Sequence, residues 1–307
     1  MMVGMLMLVM VRMLMSVLLA MALVRVVVMV FVYHSCRLFL AAKVRRPGRN
    51  RVAKRGHFGF FSGNSYLATP NGLIPMRKDT LWYIPCAFFC VAAVLNLIGC
   101  ILGTRLAPLV KPALLPLLTG TTLAYLLGHG HQKDNMGIAL LMAAQLFGCV
   151  GDILLIPEGF FFFVGGVAAF LIGHLFYMGL LGGQSWKGLM AWHWAIASIL
   201  MAGIVYGLVT VIGISGELFW PMTVYGFALM LLVFSAFAGV IRMPRGRLTT
   251  WWILLAGTVL FAFSDSCIAM DTFGVMTFPL RHFLVMVTYL AAQSLLAVGG
   301  IRLILGK

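Results

Sequence analysis

The chain has 307 residues, of which 63% are hydrophobic and 9% charged, and its mean hydropathy is +1.06. These values exclude a soluble globular domain and indicate a polytopic membrane protein. The net charge of +15 is not spread over a surface, because twelve of the 22 Lys and Arg residues precede Asp79 and all seven acids lie from Asp79 onward. We therefore expect no nucleic-acid partner.

The N-terminal part of the chain differs from the rest. Residues 1–42 are a low-complexity stretch of Met, Val and Leu interrupted by Arg12, Arg25 and Arg37. The stretch fits an additional spanning helix, a signal-like segment or a misassigned start of the reading frame, although Arg25 in mid-run disfavours a clean span. Residues 43–80 are rich in Gly, Pro and Arg, which predicts a basic cytoplasmic linker facing anionic lipid.

Eight apolar runs of 20 to 25 residues follow, and each is long enough to cross about 30 Å of hydrocarbon as a helix. The runs are 81–102, 106–127, 137–156, 160–181, 189–213, 217–241, 248–270 and 280–304. The short loops between them make successive helices antiparallel neighbours. We predict an all-α integral membrane protein with an eight-helix transmembrane bundle over 81–304.

The loop charges predict how this bundle is oriented. One side carries most of the loop cations, and the other side carries only Arg105 and Arg281. The cations of the first side, besides those of the linker, are Lys133, Lys187, Arg242, Arg245, Arg247, Arg302 and Lys307. By the positive-inside rule, both termini of the eight-helix core are cytoplasmic.

Two acids lie inside the apolar runs. Asp152 is in the last third of 137–156, and Asp265 is in the last third of 248–270. A carboxylate in hydrocarbon is costly unless it has a partner or water, so an intramembrane acid indicates a functional site. For Asp152 the alternative is a position at the membrane interface, because the run ends four residues later.

With this orientation, the acids and further polar residues from five helices in all fall at similar depth. The further residues are Lys111, Tyr225, Arg281, His282 and Tyr289. Unrelated interfacial residues would not need to share one level, so the coincidence favours a polar site inside the bundle. Ser264 and Ser266 flank the second acid and offer it hydrogen bonds, although serines in membrane helices commonly bond their own backbone.

The histidines and cysteines do not form a metal site in the sequence. His174 and Tyr177 share a helix face but lie closer to the cytoplasmic side, and His174 fits either a site residue or a structural hydrogen-bonding histidine. No three histidines share a depth with a carboxylate, and the six cysteines lack paired spacing. We expect no metal and no cofactor.

Five segments carry a family resemblance: LVKPALLPLLTG, AQLFGCVGDILLI, FLIGHLFYMGLL, FAFSDSCIAM and TYLAAQSLLA. In this order and spacing they resemble the YhhN family of integral membrane proteins, which includes the animal lysoplasmalogenases, over roughly 81–304. The resemblance implies that Asp152 and Asp265 are catalytic. It also implies site-lining roles for the matching positions Lys111, His174, Tyr177, Tyr289 and Gln293.

The activity implied by the resemblance is hydrolysis of the vinyl ether bond of a lysoplasmalogen, giving a fatty aldehyde and a glycerophospho-choline or -ethanolamine. Two acids suit this chemistry, because protonation of the alkene carbon gives an oxocarbenium ion that water attacks. One carboxyl must stay neutral and the other ionised. We assign Asp265 as the acid because serines flank it, and we expect Lys111, Arg281 or His282 to hold the lipid phosphate.

Three other functions use some of the same features. A proton-coupled transporter also relies on buried acids, but the two halves of the chain show no convincing repeat. An intramembrane aspartyl protease is disfavoured because Phe-Ser, in place of Gly-x-Gly, precedes Asp265. A lipid-binding structural protein would use the polar cluster only to join helices. By analogy with the family, the membrane is that of the endoplasmic reticulum in a eukaryote and the plasma membrane in a bacterium.

Overall fold

The computed structural model describes residues 66–69, 72–75, 81–129, 134–275 and 280–306. The chain divides into two units, residues 1–78 and 79–307. The additional helix considered for 1–42, and most of the linker predicted over 43–80, lie outside the described residues.

The first unit contains a short β-hairpin that the sequence analysis did not predict. Strand β1 (Tyr66–Thr69) pairs antiparallel with β2 (Gly72–Pro75), and Tyr66 lies opposite Pro75. The connecting sequence is Pro-Asn, followed by Gly72, and these residue types favour tight turns. The hairpin is a small addition to a chain that is otherwise helical where it is described.

The second unit contains eight described helices that are long and apolar enough to cross a membrane, which confirms the predicted all-α architecture of a multi-pass membrane protein. They are α1 (Tyr83–Leu102), α2 (Leu106–His129), α3 (Asn135–Leu154), α4 (Phe160–Ser185), α5 (Ala191–Ile212), α6 (Phe219–Arg242), α7 (Leu248–Thr272) and α8 (Arg281–Ile304). Each begins within a few residues of its predicted apolar run, because hydrophobic length alone defines a spanning helix.

Seven of these helices form a closed ring. Each of α1, α2 and α3 packs against the next helix, α4 packs against α6, and α6, α7 and α8 lead back to α1. The predicted neighbour relation between successive helices is therefore wrong for α4 and α5. Helix α5 packs mainly against α6 and stands outside the ring, so it contributes little to the interior.

Helix α8 is the most enclosed element of the ring. It packs against α7 and α1 and also reaches α2 and α3. In the 18-residue apolar stretch of α8, 61% of the residues are buried inside the protein, compared with 22% for the corresponding stretch of α1. Side chains of α8 therefore point into the interior of the bundle, where they can contact side chains of the other helices.

Small residues allow close helix packing beside both acids. A Cβ added at Gly151, the residue before Asp152, would lie 2.7 Å from the ring of Phe170 on α4. A Cβ added at Gly257, two turns before Asp265, would lie 3.1 Å from the side chain of Leu296 on α8. Gly151 brings α3 onto α4 directly beside Asp152, and Gly257 brings α7 onto α8 two turns away from Asp265.

Candidate active site

Asp152 lies in the last turn of α3 and is held by side chains from two other helices. Its carboxyl is buried, with 3% of the side chain exposed. Lys111 of α2 places its Nζ 3.3 Å from Oδ1, and the hydroxyl of Tyr289 of α8 donates to Oδ2 at 2.7 Å. A cation and a hydroxyl donor both stabilise the ionised form of a carboxyl, so this arrangement favours a carboxylate at Asp152.

The two prolines of α2 help to fix Lys111 beside this acid. Pro116 has no backbone N–H, so the carbonyl of Pro112 loses its partner one turn later in the helix. The thiol of Cys149, one turn before Asp152, donates to that carbonyl at 3.8 Å. The α2 segment that carries Lys111 is thereby joined to the α3 turn that carries Asp152.

Asp265 of α7 is also buried, but its partner is different. The hydroxyl of Tyr225 of α6 donates a short hydrogen bond to Oδ2. No cation lies within ion-pair distance of this carboxyl among the residues that the structure describes. The two acids thus have the same kind of tyrosine partner and unequal electrostatic surroundings.

The flanking serines do not bind Asp265, contrary to the sequence-based expectation. Ser264 Oγ donates to the carbonyl of Val285 on α8 at 3.1 Å, and Ser266 Oγ donates to the carbonyl of Ala262 at 2.8 Å. Consecutive residues of a helix point in different directions, so the neighbours of Asp265 in sequence face away from its carboxyl. Ser264 instead joins α7 to α8.

A series of hydrogen bonds leads from the centre of the bundle to Asp152. Tyr177 of α4 donates to Gln293 Oε1 at 3.1 Å, and Gln293 Nε2 donates to the hydroxyl of Tyr289 at 3.4 Å. The Tyr289 hydroxyl donates in turn to Asp152. Every donor in the series points towards Asp152, and this series joins Tyr177 and Gln293 to the acid despite their position nearer the middle of their helices.

An aromatic wall made of Phe170, His174 and Phe261 connects the two acid sites. The ring of Phe261 lies 5.6 Å from Tyr289 and 4.8 Å from His174, and His174 lies 5.4 Å from Tyr225. The tyrosine partners of both acids therefore contact the same wall. Asp265 is also close enough to Asp152 and Lys111 to interact with their charges.

His174 belongs to this wall and is 1% exposed. Neither ring nitrogen has a hydrogen-bond partner within the described ranges, so the reading of His174 as a structural hydrogen-bonding histidine finds no support there. Within the same ranges, no three His, Cys, Asp or Glu side chains are close enough together to hold a metal ion. His174 faces Tyr225 and Phe261 as part of the predicted site.

Three further interior residues lie near the predicted site: Gln145 and Gly148 share the inward helical face of Asp152 by their spacing in the sequence, whereas Phe170 was not predicted. Phe170 packs beside Tyr289 and Phe261, and it lies four residues before His174, a spacing that could have identified it. Gln145 is fully buried, and its Nε2 donates to Thr122 Oγ1 at 3.4 Å. A Cβ at Gly148 would lie 3.9 Å from the Tyr289 hydroxyl.

Arg281 and His282 lie at the start of α8, at the outer edge of the predicted site. Arg281 Nε is 2.5 Å from Asp271 Oδ1, and His282 Nδ1 is 3.7 Å from Asp271 Oδ2. Their side chains are 36% and 63% exposed. The structure pairs both residues with Asp271 at the end of α7, and Lys111 pairs with Asp152, so each of the three residues predicted as phosphate ligands has an acidic partner.

Comparisons with known proteins identify the family of the chain. The YhhN family model matches residues 106–300. Lysoplasmalogenase TMEM86B of Mus musculus is 33% identical over 165 residues, which are 53% of this chain and 64% of the relative. Lysoplasmalogenase TMEM86B of Homo sapiens is 32% identical over 165 residues, which are 53% of this chain and 64% of that relative. Lysoplasmalogenase TMEM86A of Bos taurus is 28% identical over 182 residues, which are 58% of this chain and 72% of that relative.

The match thus spans a little under two thirds of the length of the mouse and human TMEM86B proteins. No solved structure matches the chain significantly. The family model extends over more than half of the chain and includes both acids, their tyrosine partners and Lys111. The chain belongs to the YhhN family.

Proposed function

We propose that the protein is a membrane-embedded lysoplasmalogenase, a hydrolase that cleaves the vinyl ether bond of lysoplasmalogens. Its products would be a fatty aldehyde and glycerophosphocholine or glycerophosphoethanolamine. Family membership and the similarity to proteins named lysoplasmalogenase support this proposal. The observation that carries it is a pair of buried carboxyls on one aromatic wall, of which, among the described residues, Asp152 alone has a cation partner.

The unequal surroundings of the acids suggest how they divide the reaction. Asp265, without a cation partner among the described residues, is the better proton carrier and acts as the general acid. It transfers its proton to the alkene carbon of the vinyl ether, and the adjacent carbon becomes an oxocarbenium ion. Asp265 was also predicted to be the acid because Ser264 and Ser266 flank it, but both serines donate to backbone carbonyls and not to Asp265.

Asp152 then completes the reaction as the base. Its carboxylate, kept ionised by Lys111 and Tyr289, stabilises the oxocarbenium ion and accepts a proton from the attacking water. The resulting hemiacetal breaks its bond to the glycerol oxygen, which gives the aldehyde and the glycerophospho alcohol. Asp152 returns its proton to that oxygen, while the Asp265 carboxylate accepts the proton of the hemiacetal hydroxyl and is thereby regenerated as the acid.

The aromatic wall suits a cationic intermediate. The faces of Phe and Tyr rings carry negative charge density and attract a cation within about 6 Å. Phe261 and Tyr289 contact each other at 5.6 Å between the two acids. An oxocarbenium ion formed beside them is stabilised by these ring faces, and Phe170 packs against both rings.

We place the headgroup of the substrate at the outer edge of the site. Arg281 and His282 are exposed enough to meet a phosphate there, with Asp271 fixing their positions. Tyr289 lies seven residues deeper in α8 than His282, which is about 10 Å along the helix. The alkenyl chain then extends from the acids towards the middle of the bilayer. Lys111, which was also expected as a phosphate ligand, is not needed for that role and pairs with Asp152 instead.

The proposal is tested by aldehyde release from an alkenyl lysophospholipid, beside its acyl ester analogue, with the detergent-purified protein. We expect aldehyde from the alkenyl lipid and no fatty acid from the ester, because protonation of an alkene does not activate an ester. In D₂O the aldehyde should carry one solvent deuterium on the carbon next to the carbonyl. A well-folded, monodisperse protein that releases no aldehyde would overturn the proposal and direct attention to proton-coupled transport.

We further propose that residues 81–304 form the catalytic domain, with both ends in the cytoplasm, and that 43–80 is a cytoplasmic linker. The distribution of loop charges supports this orientation. The site then opens towards the non-cytoplasmic half of the membrane. We propose the endoplasmic reticulum as the location in a eukaryote and the plasma membrane in a bacterium.

Cysteine labelling checks this orientation in sealed vesicles whose cytoplasmic face points outward. In a background without native cysteines, a membrane-impermeant maleimide should modify Arg245→Cys at once. It should modify Glu158→Cys only after detergent opens the vesicles, because the exposed loops that contain these residues lie at opposite ends of the bundle. Immediate labelling of Glu158→Cys with protection of Arg245→Cys would reverse the orientation.

A further inference from the structure

Helix α5 stands outside the ring, and a long groove runs between it and α6. The groove has a volume of about 570 Å³ and is mainly apolar along its length. Its apolar lining includes Ile196, Leu200, Ile204, Phe234, Phe237 and Ile241. Helix α5 supplies none of the side chains described at the two acids, so the groove is separate from the candidate active site.

One end of this groove is cationic. The guanidinium of Arg242 lies against the α4–α5 loop, where a Cβ at Gly188 would be 2.9 Å from Nη2. Gly188 has a φ of 74°, a conformation that glycine adopts without strain. Arg242 has no ion-pair partner in the described part of the chain, in contrast to Lys111 and Arg281.

His193 adds a hydrogen-bond donor at the same end. Its Nδ1 accepts a hydrogen bond from the backbone N–H of Met190 at 3.2 Å, which in the neutral ring leaves the proton on Nε2. Trp192 stacks on the imidazole at 3.6 Å. A guanidinium, an imidazole N–H and an indole at the mouth of an apolar groove match the phosphate and glycerol region of a lipid.

The length of the groove fits a single leaflet. From His193 to Ile204 the lining of α5 advances eleven residues, or about 17 Å of helix. Half of a hydrocarbon core of about 30 Å is about 15 Å. An acyl chain whose phosphate rests at Arg242 would therefore reach close to the bilayer midplane.

A second groove between the same helices provides a comparison. It has a volume of about 390 Å³ and lies towards the other end of α5, and its lining includes Val205, Tyr206, Trp220 and Val224. All of its lining residues are uncharged. The pairing of an apolar groove with a cation is thus a property of the first groove and not of every space beside α5.

We propose that the first groove binds one anionic diacyl phospholipid of the surrounding bilayer, with its phosphate at Arg242 and His193 and one acyl chain along α5 and α6. Lys187, Arg245 and Arg247 at the same end of the bundle add positive charge around the mouth. Anionic headgroups are attracted by such a rim, whereas a zwitterionic headgroup is attracted less. The site is distinct from the one where the proposed substrate reacts.

The test is native mass spectrometry of the full chain with phosphatidylglycerol and phosphatidylcholine of identical acyl chains. The unaltered protein should bind phosphatidylglycerol about tenfold more tightly, because the choline cation of phosphatidylcholine opposes the attraction of its phosphate to Arg242 and the basic rim. Arg242→Gln should lose that preference, and Arg245→Gln should keep most of it. Leu200→Trp should fill the groove and weaken binding of both lipids, whereas Val224→Trp in the second groove should not.

Two outcomes would overturn the proposal. Equal losses in Arg242→Gln and Arg245→Gln would mean that diffuse surface charge, and not a built site, selects the lipid. Unchanged binding in Leu200→Trp would mean that the groove is not where the acyl chain lies. Both results are independent of aldehyde release, so they separate this lipid site from the proposed enzyme activity.

Discussion

Asp152→Asn and Asp265→Asn should each lower kcat for aldehyde release by about 10²- to 10⁴-fold, the range over which general acids and bases contribute to catalysis. Asn keeps the shape of each side chain but can neither deliver the proton to the alkene nor accept one from water. The change at Asp265 leaves the Tyr225 hydroxyl with an amide oxygen to bind, so the fold should persist. Activity is measured with saturating alkenyl lysophospholipid in one detergent.

The control for these variants is Glu158→Gln, which removes an exposed acid six residues after Asp152. It should retain the activity of the unaltered protein, since Glu158 lies in the loop after α3 and away from the described contacts of either carboxyl. If either Asp→Asn variant is as active as this control while remaining monodisperse, the acid pair is not the catalytic machinery.

Lys111→Met should destabilise the protein more than any exposed lysine change. Removing one partner of a buried ion pair leaves an unpaired charge and typically costs about 3 to 5 kcal/mol, and the partial exposure of Lys111 places the loss near the lower value. Lys111 is 18% exposed and Asp152 is 3% exposed. Thermal unfolding in detergent, followed by intrinsic fluorescence, should show a clear decrease in Tm together with loss of activity.

A double variant separates the charge from the packing. Lys111→Met combined with Asp152→Asn removes both charges, and it should recover most of the lost stability while remaining inactive. Lys187→Met, an exposed lysine at the other end of the bundle, should leave Tm nearly unchanged. Equal destabilisation by the single and double variants would show that Lys111 acts through packing and not through the carboxylate.

The spanning helices could be predicted from the sequence because each needs only length and hydrophobicity. Run 106–127 became α2 (Leu106–His129), and run 160–181 became α4 (Phe160–Ser185). The common depth of Lys111, Asp152 and Tyr289 also followed from counting turns, whereas Arg281 and His282 lie further out, beside Asp271. The order of helices around the ring did not follow, since it depends on which faces pack together. The sequence gives no sign that α4 contacts α6 across the position expected for α5.

The individual pairings in the site depend on this packing. Lys111 was predicted to line the site and was also considered as a phosphate ligand, but the rotation of α2 turns it towards Asp152. Ser264 is adjacent to Asp265 in sequence and yet bonds to α8, whereas Tyr225 comes from another helix to bind the acid. Such cross-helix partners are set by tertiary contacts, which neighbours in sequence do not reveal.

The enclosed position of α8 has a consequence for biogenesis. This helix is synthesised after the other described helices, and it brings Tyr289 to Asp152 and Gln293 to Tyr177. Until it inserts, the membrane holds seven described helices around an acid that has Lys111 as its ion-pair partner and lacks its hydroxyl donor. The site is therefore assembled only after α8 has been synthesised, and a chain that stops before Arg281 lacks the contacts that Tyr289 and Gln293 make with Asp152 and Tyr177.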